Sequence, residues 1–200
     1  EPIELMGDLP QGPRCAILDL GCKENIVRLT RQRSSLVKIF PSRASGQQIL
    51  DFKPQAVILS NGPGDPADVQ ESVETIRRLV GRVPIFGICM GHQLLSLALG
   101  AKTFRLRFGH RGANHPISDQ LLNKVYVSSQ NHGYAVDPKT LPDDVQLTHT
   151  NLNDQTCAGI FSKDRKILSV QFHPEACPGP HDSMALFDYF IETFVNGGTQ

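Results

Sequence analysis

The sequence predicts an α/β protein with an open, mostly parallel central sheet, helices on both faces and additional antiparallel strands. Three observations lead there. Short, almost wholly apolar runs recur at 15–21, 36–40, 56–60 and 84–88, as strands buried on both faces require. Segments of helical length and pattern separate several of them, the spacing that parallel crossovers need. In the second half, strand-like runs follow one another with loops too short for helical crossovers, so pairing there is antiparallel.

The elements follow in order. The first run, Cys15-Ala16-Ile17-Leu18-Asp19-Leu20-Gly21, ends in glycine. Residues 25–33 read as a helix with Arg28, Arg31 and Arg33 toward solvent. The strand 36–40 stops at Pro41. The strand 56–60 runs into Asn61-Gly62-Pro63-Gly64-Asp65-Pro66, a turn too rich in Gly and Pro to extend it. Residues 69–80 read as a helix with Val73, Ile76, Leu79 and Val80 at helical period. A strand at 84–88 precedes a helix at 92–99, and Gly100 is the expected breaker. Further strands are expected at 103–108, 125–129, 146–150, 157–161 and 167–172. A last helix at about 181–194 aligns Leu186, Phe187, Phe190 and Phe194.

Composition narrows the function. Two hundred residues suffice for one domain with a sizeable core, here 15–196, with 1–14 read as a linker from a missing N-terminal domain. The 20 basic and 20 acidic side chains cancel, which argues against a nucleic-acid or membrane-surface binder. Five cysteines, an odd number at irregular spacing, argue against a disulfide framework and for a reducing compartment. No apolar stretch reaches the roughly 18 residues of a membrane span. A soluble cytoplasmic protein is expected.

Gly87-Ile88-Cys89-Met90-Gly91 places a thiol between a buried strand and a helix, with glycine two residues to either side. This is the pattern of a nucleophile elbow with cysteine in place of serine. Such a turn is tight, presents the sulfur at the carboxyl edge of the sheet, and faces it with the first helical amides. No other cysteine has glycines so placed, and the remaining four read as structural thiols. A thiol nucleophile needs a base, and the base an orienting group. His173 ends the apolar run 167–172 and is followed by Pro174-Glu175. In extended backbone, residues two apart point the same way, so His173 and Glu175 can both aim at Cys89.

Other site chemistries fit less well. Cys89, His92, His173, Glu175, Cys177 and His181 include ligand types, but none of the tight spacings of metal sites occurs, and no metal is expected. His92, one turn after Cys89, is expected as a polar contact near the site. The Gly-rich turn 61–65 lacks the lysine of a phosphate-binding loop. Its expected use, beyond turning the chain, is to bring the Gly62 or Gly64 amide beside the Met90 amide as an oxyanion donor.

Together these motifs resemble the class I glutamine amidotransferases. More closely they resemble the C-terminal glutaminase domain of carbamoyl phosphate synthetase small subunits. The resemblance covers about Cys15 to Phe194 and rests on 60–66, 86–94, 108–112, 129–136 and 171–182. It implies that Cys89, His173 and Glu175 form a triad and that the Gly62 and Met90 amides form the oxyanion hole. Gln93 and the backbone around Asn131, Gly133 and Tyr134 would hold L-glutamine. It implies no cofactor in this domain. A synthetase large subunit or fused synthetase domain would take up the ammonia, using ATP and Mg2+, and a small-subunit N-terminal domain would precede this one. The family pattern has leucine at Met90 and serine at Cys177. Two alternatives stay open: a cysteine hydrolase on a related fold, and a non-catalytic glutaminase-like regulatory or interaction module.

Overall fold

The apolar runs pair edge to edge. In the computed structural model, which describes residues 1–176 and 179–197, β2 (Arg14–Asp19) lies parallel between β3 (Leu36–Pro41) and β4 (Ala56–Leu59). Next to β4 comes β5 (Ile85–Ile88), then β10 (Ile167–Val170), both parallel to it. Beyond β10 the pairing turns antiparallel through β9 (Cys157–Ser162), β8 (Gln146–Asn151), β6 (Lys102–Asp119) and β7 (Lys124–Asp137). At the opposite edge β1 (Ile3–Met6) pairs antiparallel with β3. It lies within the 1–14 segment, where the sequence reading assigned no strand. Among the described residues the order is β1-β3-β2-β4-β5-β10-β9-β8-β6-β7.

Strand alternation persists inside the fully buried strands and divides the core in two. Ala16, Leu18, Val57, Leu59 and Ile85 face one side, where α2 (Gly46–Asp51), α3 (Gln70–Leu79) and α4 (Met90–Ala98) cover them with Ile49, Ile76 and Leu94. Cys15, Ile17, Ile58, Phe86 and Ile88 face the other, under α1 (Glu24–Arg31) and α5 (Ala185–Ile191). There Phe86 packs edge-on against Phe187 at 5.2 Å and stacks on Phe190 at 5.4 Å.

Several elements depart from the sequence reading. α2 has only six residues, too few to show a period, although Ser45 and Gln48 form a capping box at its start. α4 begins at Met90, directly after Cys89, two residues before the expected start. β6 and β7 extend far past 103–108 and 125–129, because their continuations (His110, Asn114, Gln130, Asn131) are polar and pair through backbone rather than an apolar face. Between Arg105↔Tyr134 and His110↔His132 the register shifts, and residues 106–109 bulge outward with Phe108 81% exposed. β10 ends at Val170 rather than 172, where its partner β5 also ends. The last helix is preceded by a 3₁₀ turn, Asp182–Met184, and widens into a π turn, Glu192–Asn196, where Phe194 stacks on Phe161 at 5.4 Å.

Candidate active site

β4, β5 and β10 run parallel and release their chains at one edge of the sheet, which brings residues 60–65, Cys89 and 171–175 together. Cys89 has φ 53° and ψ −101°, a strained conformation for a residue with a side chain. Neighbouring backbone holds it there: the Cys89 amide donates to Val170 O at 2.8 Å, and the Gly91 amide donates to Ser60 O at 3.0 Å. The elbow packs so closely on β4 that a Cβ at Gly91 would stand 2.3 Å from Leu59 O. Only glycine permits that approach.

His173 and Glu175 meet, but not as the sequence argument supposed. They lie in a turn beyond β10, closed by the Ala176 amide donating to His173 O at 3.3 Å, rather than on extended strand. The turn folds the carboxylate back, and His173 Nδ1 sits 2.7 Å from Glu175 Oε1. Burial works to lower the His173 pKa. Hydrogen bonds to Cys89 and Glu175, with the negative charge of both, outweigh it and raise the pKa to about 9. Glu175 is wholly buried, and Lys23 Nζ stands 3.2 Å from its Oε1. That ion pair compensates a carboxylate that burial would otherwise penalise. Asn25 Nδ2 donates to the Glu175 carbonyl and pins the turn to the start of α1.

Cys89 and His173 open into a cavity of about 790 Å³ whose walls include Gly62, Met90, Gln93, Asn131, Gly133 and Tyr134. Every residue assigned to substrate or oxyanion contact therefore reaches one cavity, with Glu175 behind its wall. Gly62 presses against the end of β2, where a Cβ would stand 2.2 Å from Leu20 O. Gln93 Nε2 donates to Tyr134 O at 2.9 Å and to Gln171 Oε1 at 3.0 Å, tying α4 to β7 and to the chain just past β10. Around the sulfur stand Gln171 Nε2 at 3.8 Å and the Asn131 carbonyl oxygen at 4.0 Å.

The other histidines take separate positions. His92 is fully buried beside Ser169 Oγ at 2.8 Å; burial first, then His132 and His149, lower its pKa to about 3. It is a packed neutral group beneath the elbow. His110 bridges Asp154, 2.7 Å from Nε2, and His132, 3.2 Å from Nδ1. His132, whose Nδ1 donates to Tyr134 O at 2.7 Å, is lowered to about 3 chiefly by burial. No group of three or more ligand-type side chains among the described residues is arranged to hold a metal. Cys177 lies outside the described residues. Sequence reasoning missed Lys23, Asn25, Gln171 and the cationic wall of Arg105, Arg107 and Arg111. Their one legible signal is position, since Lys23 and Gln171 follow the carboxyl ends of parallel strands.

The family described as glutamine amidotransferase class-I matches residues 16–193. Among curated proteins, the carbamoyl phosphate synthase small chain of Methanocaldococcus jannaschii is 53% identical over 90% of this chain and 51% of its own length. That of Clostridium perfringens is 49% identical over 96% of this chain and 54% of its own. This chain thus spans about half the length of these relatives. Among solved structures, a putative GMP synthase subunit from Thermoplasma acidophilum aligns with a TM-score of 0.79 at 22% identity, over 92% of this chain and 95% of its own. A glutamine amidotransferase from Thermotoga maritima aligns at 0.64 and 19%, over 92% and 84%. Those two likenesses speak for the fold; the family match over 16–193 goes further, and the chain belongs to the class-I glutamine amidotransferases.

Proposed function

We propose that this chain is the glutaminase part of a glutamine-dependent carbamoyl phosphate synthetase. The observation that carries it is the strained Cys89 lining one cavity with a histidine whose Nδ1 is bound to the buried Glu175. Cys89, as thiolate, attacks the side-chain carbonyl of L-glutamine. The Gly62 and Met90 amides hold the oxyanion, and His173 passes its proton to departing ammonia. Glu175 keeps Nδ1 protonated, so that Nε2 faces the reacting atoms. Water, deprotonated by His173, then releases glutamate from the thioester. Gln93, with the chain at Asn131, Gly133 and Tyr134, orients the substrate.

The relatives' name supports a synthetase partner, separate or fused, that consumes the ammonia with ATP and Mg2+. Their greater length supports a further domain joined through the 1–14 segment, of which Ile3–Met6 is itself paired into this sheet as β1. Cytoplasmic location accords with the odd cysteine count. No helix among the described residues is long and apolar enough to cross a membrane.

The test uses the full-length protein with its synthetase partner. Wild type incubated with glutamine should show a γ-glutamyl adduct on Cys89 by intact mass, with glutamate released. Cys89→Ser should lose both while ammonia-dependent carbamoyl phosphate synthesis continues. Glutamate release by Cys89→Ser at the wild-type rate would refute the assignment.

A further inference from the structure

We infer that Gln171 is a further catalytic residue, whose side-chain N–H donates to the Cys89 sulfur and stabilises the thiolate that begins and ends each turnover. The inference rests on the amidotransferase reading and adds a group to its chemistry.

The orientation of two carboxamides carries the argument. Tyr134 O is a backbone carbonyl and can only accept, so the Gln93 atom 2.9 Å away must be its NH₂ group. The second hydrogen of that group points at Gln171, 3.0 Å away, so Gln171 must present its oxygen there. Its own NH₂ is left on the other side, 3.8 Å from Cys89 Sγ. Reversing Gln93 alone would set oxygen against oxygen, and reversing Gln171 alone would set donor against donor. The chain of amides is anchored at a main-chain atom and ends on the nucleophile.

Gln171 is 1% exposed, so water does not compete for its donor. Its backbone is fixed as well, the amide donating to Ala158 O at 2.9 Å. A buried donor without an acceptor is costly, and one facing an anion is stronger than one facing a neutral group. The Asn131 carbonyl, 4.0 Å from the sulfur on the cavity wall, can accept only from the neutral thiol. Gln171 and protonated His173 therefore both favour the anion. In acylation the thiolate electron pair forms the C–S bond, the C–N bond breaks, and the His173 proton leaves with ammonia. In deacylation water adds, its proton passes to His173, and the C–S bond breaks with its pair returning to sulfur. The Gln171 N–H meets that returning charge in place.

The test compares wild type, Gln171→Met and Gln171→Glu in the full-length protein. Iodoacetamide alkylation of Cys89 is followed by intact mass across pH, beside steady-state glutamine hydrolysis. Gln171→Met should displace the alkylation profile toward higher pH. It should lower kcat about tenfold, the scale of one lost hydrogen bond to a charged group, with KM changed by less than about twofold. Gln171→Glu keeps an oxygen for Gln93 and sets a second anion beside the sulfur, so its alkylation near neutral pH should fall below wild type. It also carries the test should the methionine variant fail to fold. A Gln171→Met profile superimposed on wild type, or Gln171→Glu alkylated at the wild-type rate, would overturn the inference. Wild type that neither releases glutamate nor forms the adduct would instead refute the amidotransferase reading, leaving the alkylation comparison to stand by itself.

Discussion

Glu175 reaches the chemistry only through His173, where its hydrogen bond and charge add to those of Cys89 in raising the imidazole pKa. The folded pKa of His173 stands at about 9 against an ordinary 6.5, so the proton it adds to stability is fully present below about 6.5 and is lost as pH rises through about 9. The same proton is the one needed for departing ammonia. Glutamine turnover should therefore show an alkaline limb near pH 9. Glu175→Gln keeps an oxygen for Nδ1 but removes the anion, and should move that limb to lower pH, read from kcat against pH. An unmoved limb would mean that the carboxylate charge does not set it. Lys23 bears on the same pair, because its ammonium stands 3.2 Å from the Glu175 Oε1 that also meets His173.

At the scale of elements, the elbow works because β4, β5 and α4 are packed backbone to backbone. Gly91→Ala would place a methyl 2.3 Å from a main-chain oxygen of β4, which no side-chain rotation can relieve. The expected cost is roughly 1–3 kcal/mol, as for other overpacked sites, read as a lower denaturant midpoint together with slower alkylation of Cys89. An unchanged midpoint would show that β4 yields more readily than its two-sided burial implies. On the other face, Phe86→Ala would remove the ring gripped between Phe187 and Phe190 and should cost about 3–5 kcal/mol in the same measurement. The β6–β7 ribbon plays a different part. Its bulge at 106–109 frees the Gly133 side of the ladder toward the cavity, and Arg111 Nη1, donating to Phe108 O at 3.1 Å, fixes the bulged shape.

For the whole molecule, buried histidines set an acid limit. His92 and His132 are held neutral, with pKa lowered from 6.5 to about 3. The unfolded chain takes up their protons below about 6.5 while the folded chain does not. Stability should thus fall between about pH 6.5 and 3, by up to about 1.4 kcal/mol per pH unit for each residue. His173 acts on the alkaline side, so these three groups together place the maximum near pH 6.5. His92→Asn, which retains a polar partner for Ser169, should flatten the acid limb by about one proton in denaturation experiments run from pH 6.5 to 4.5. An acid slope equal to wild type would show that His92 is not among the groups that set it.

What the sequence determined by itself was local. The doubly buried strands were legible because each is a short apolar run, and the elbow because glycines flank Cys89 at a strand–helix junction. His173 and Glu175 were legible as a pair through proximity in sequence, although a turn rather than strand alternation unites them. Only the tertiary structure decided how β4, β5 and β10 stand side by side. That adjacency brings Gln171 to the sulfur, while the return of β7 over the sheet edge brings Asn131 there and the exit from β2 brings Lys23 to Glu175, across long stretches of chain. It also decided the length of β6 and β7, whose polar residues pair through backbone and leave no apolar period to read. The physical reason is the same in each case. Burial of apolar side chains writes a period into the sequence, whereas hydrogen bonds between distant segments leave none. Thus Cys89 was visible as a nucleophile, while the donors and charges surrounding it were not.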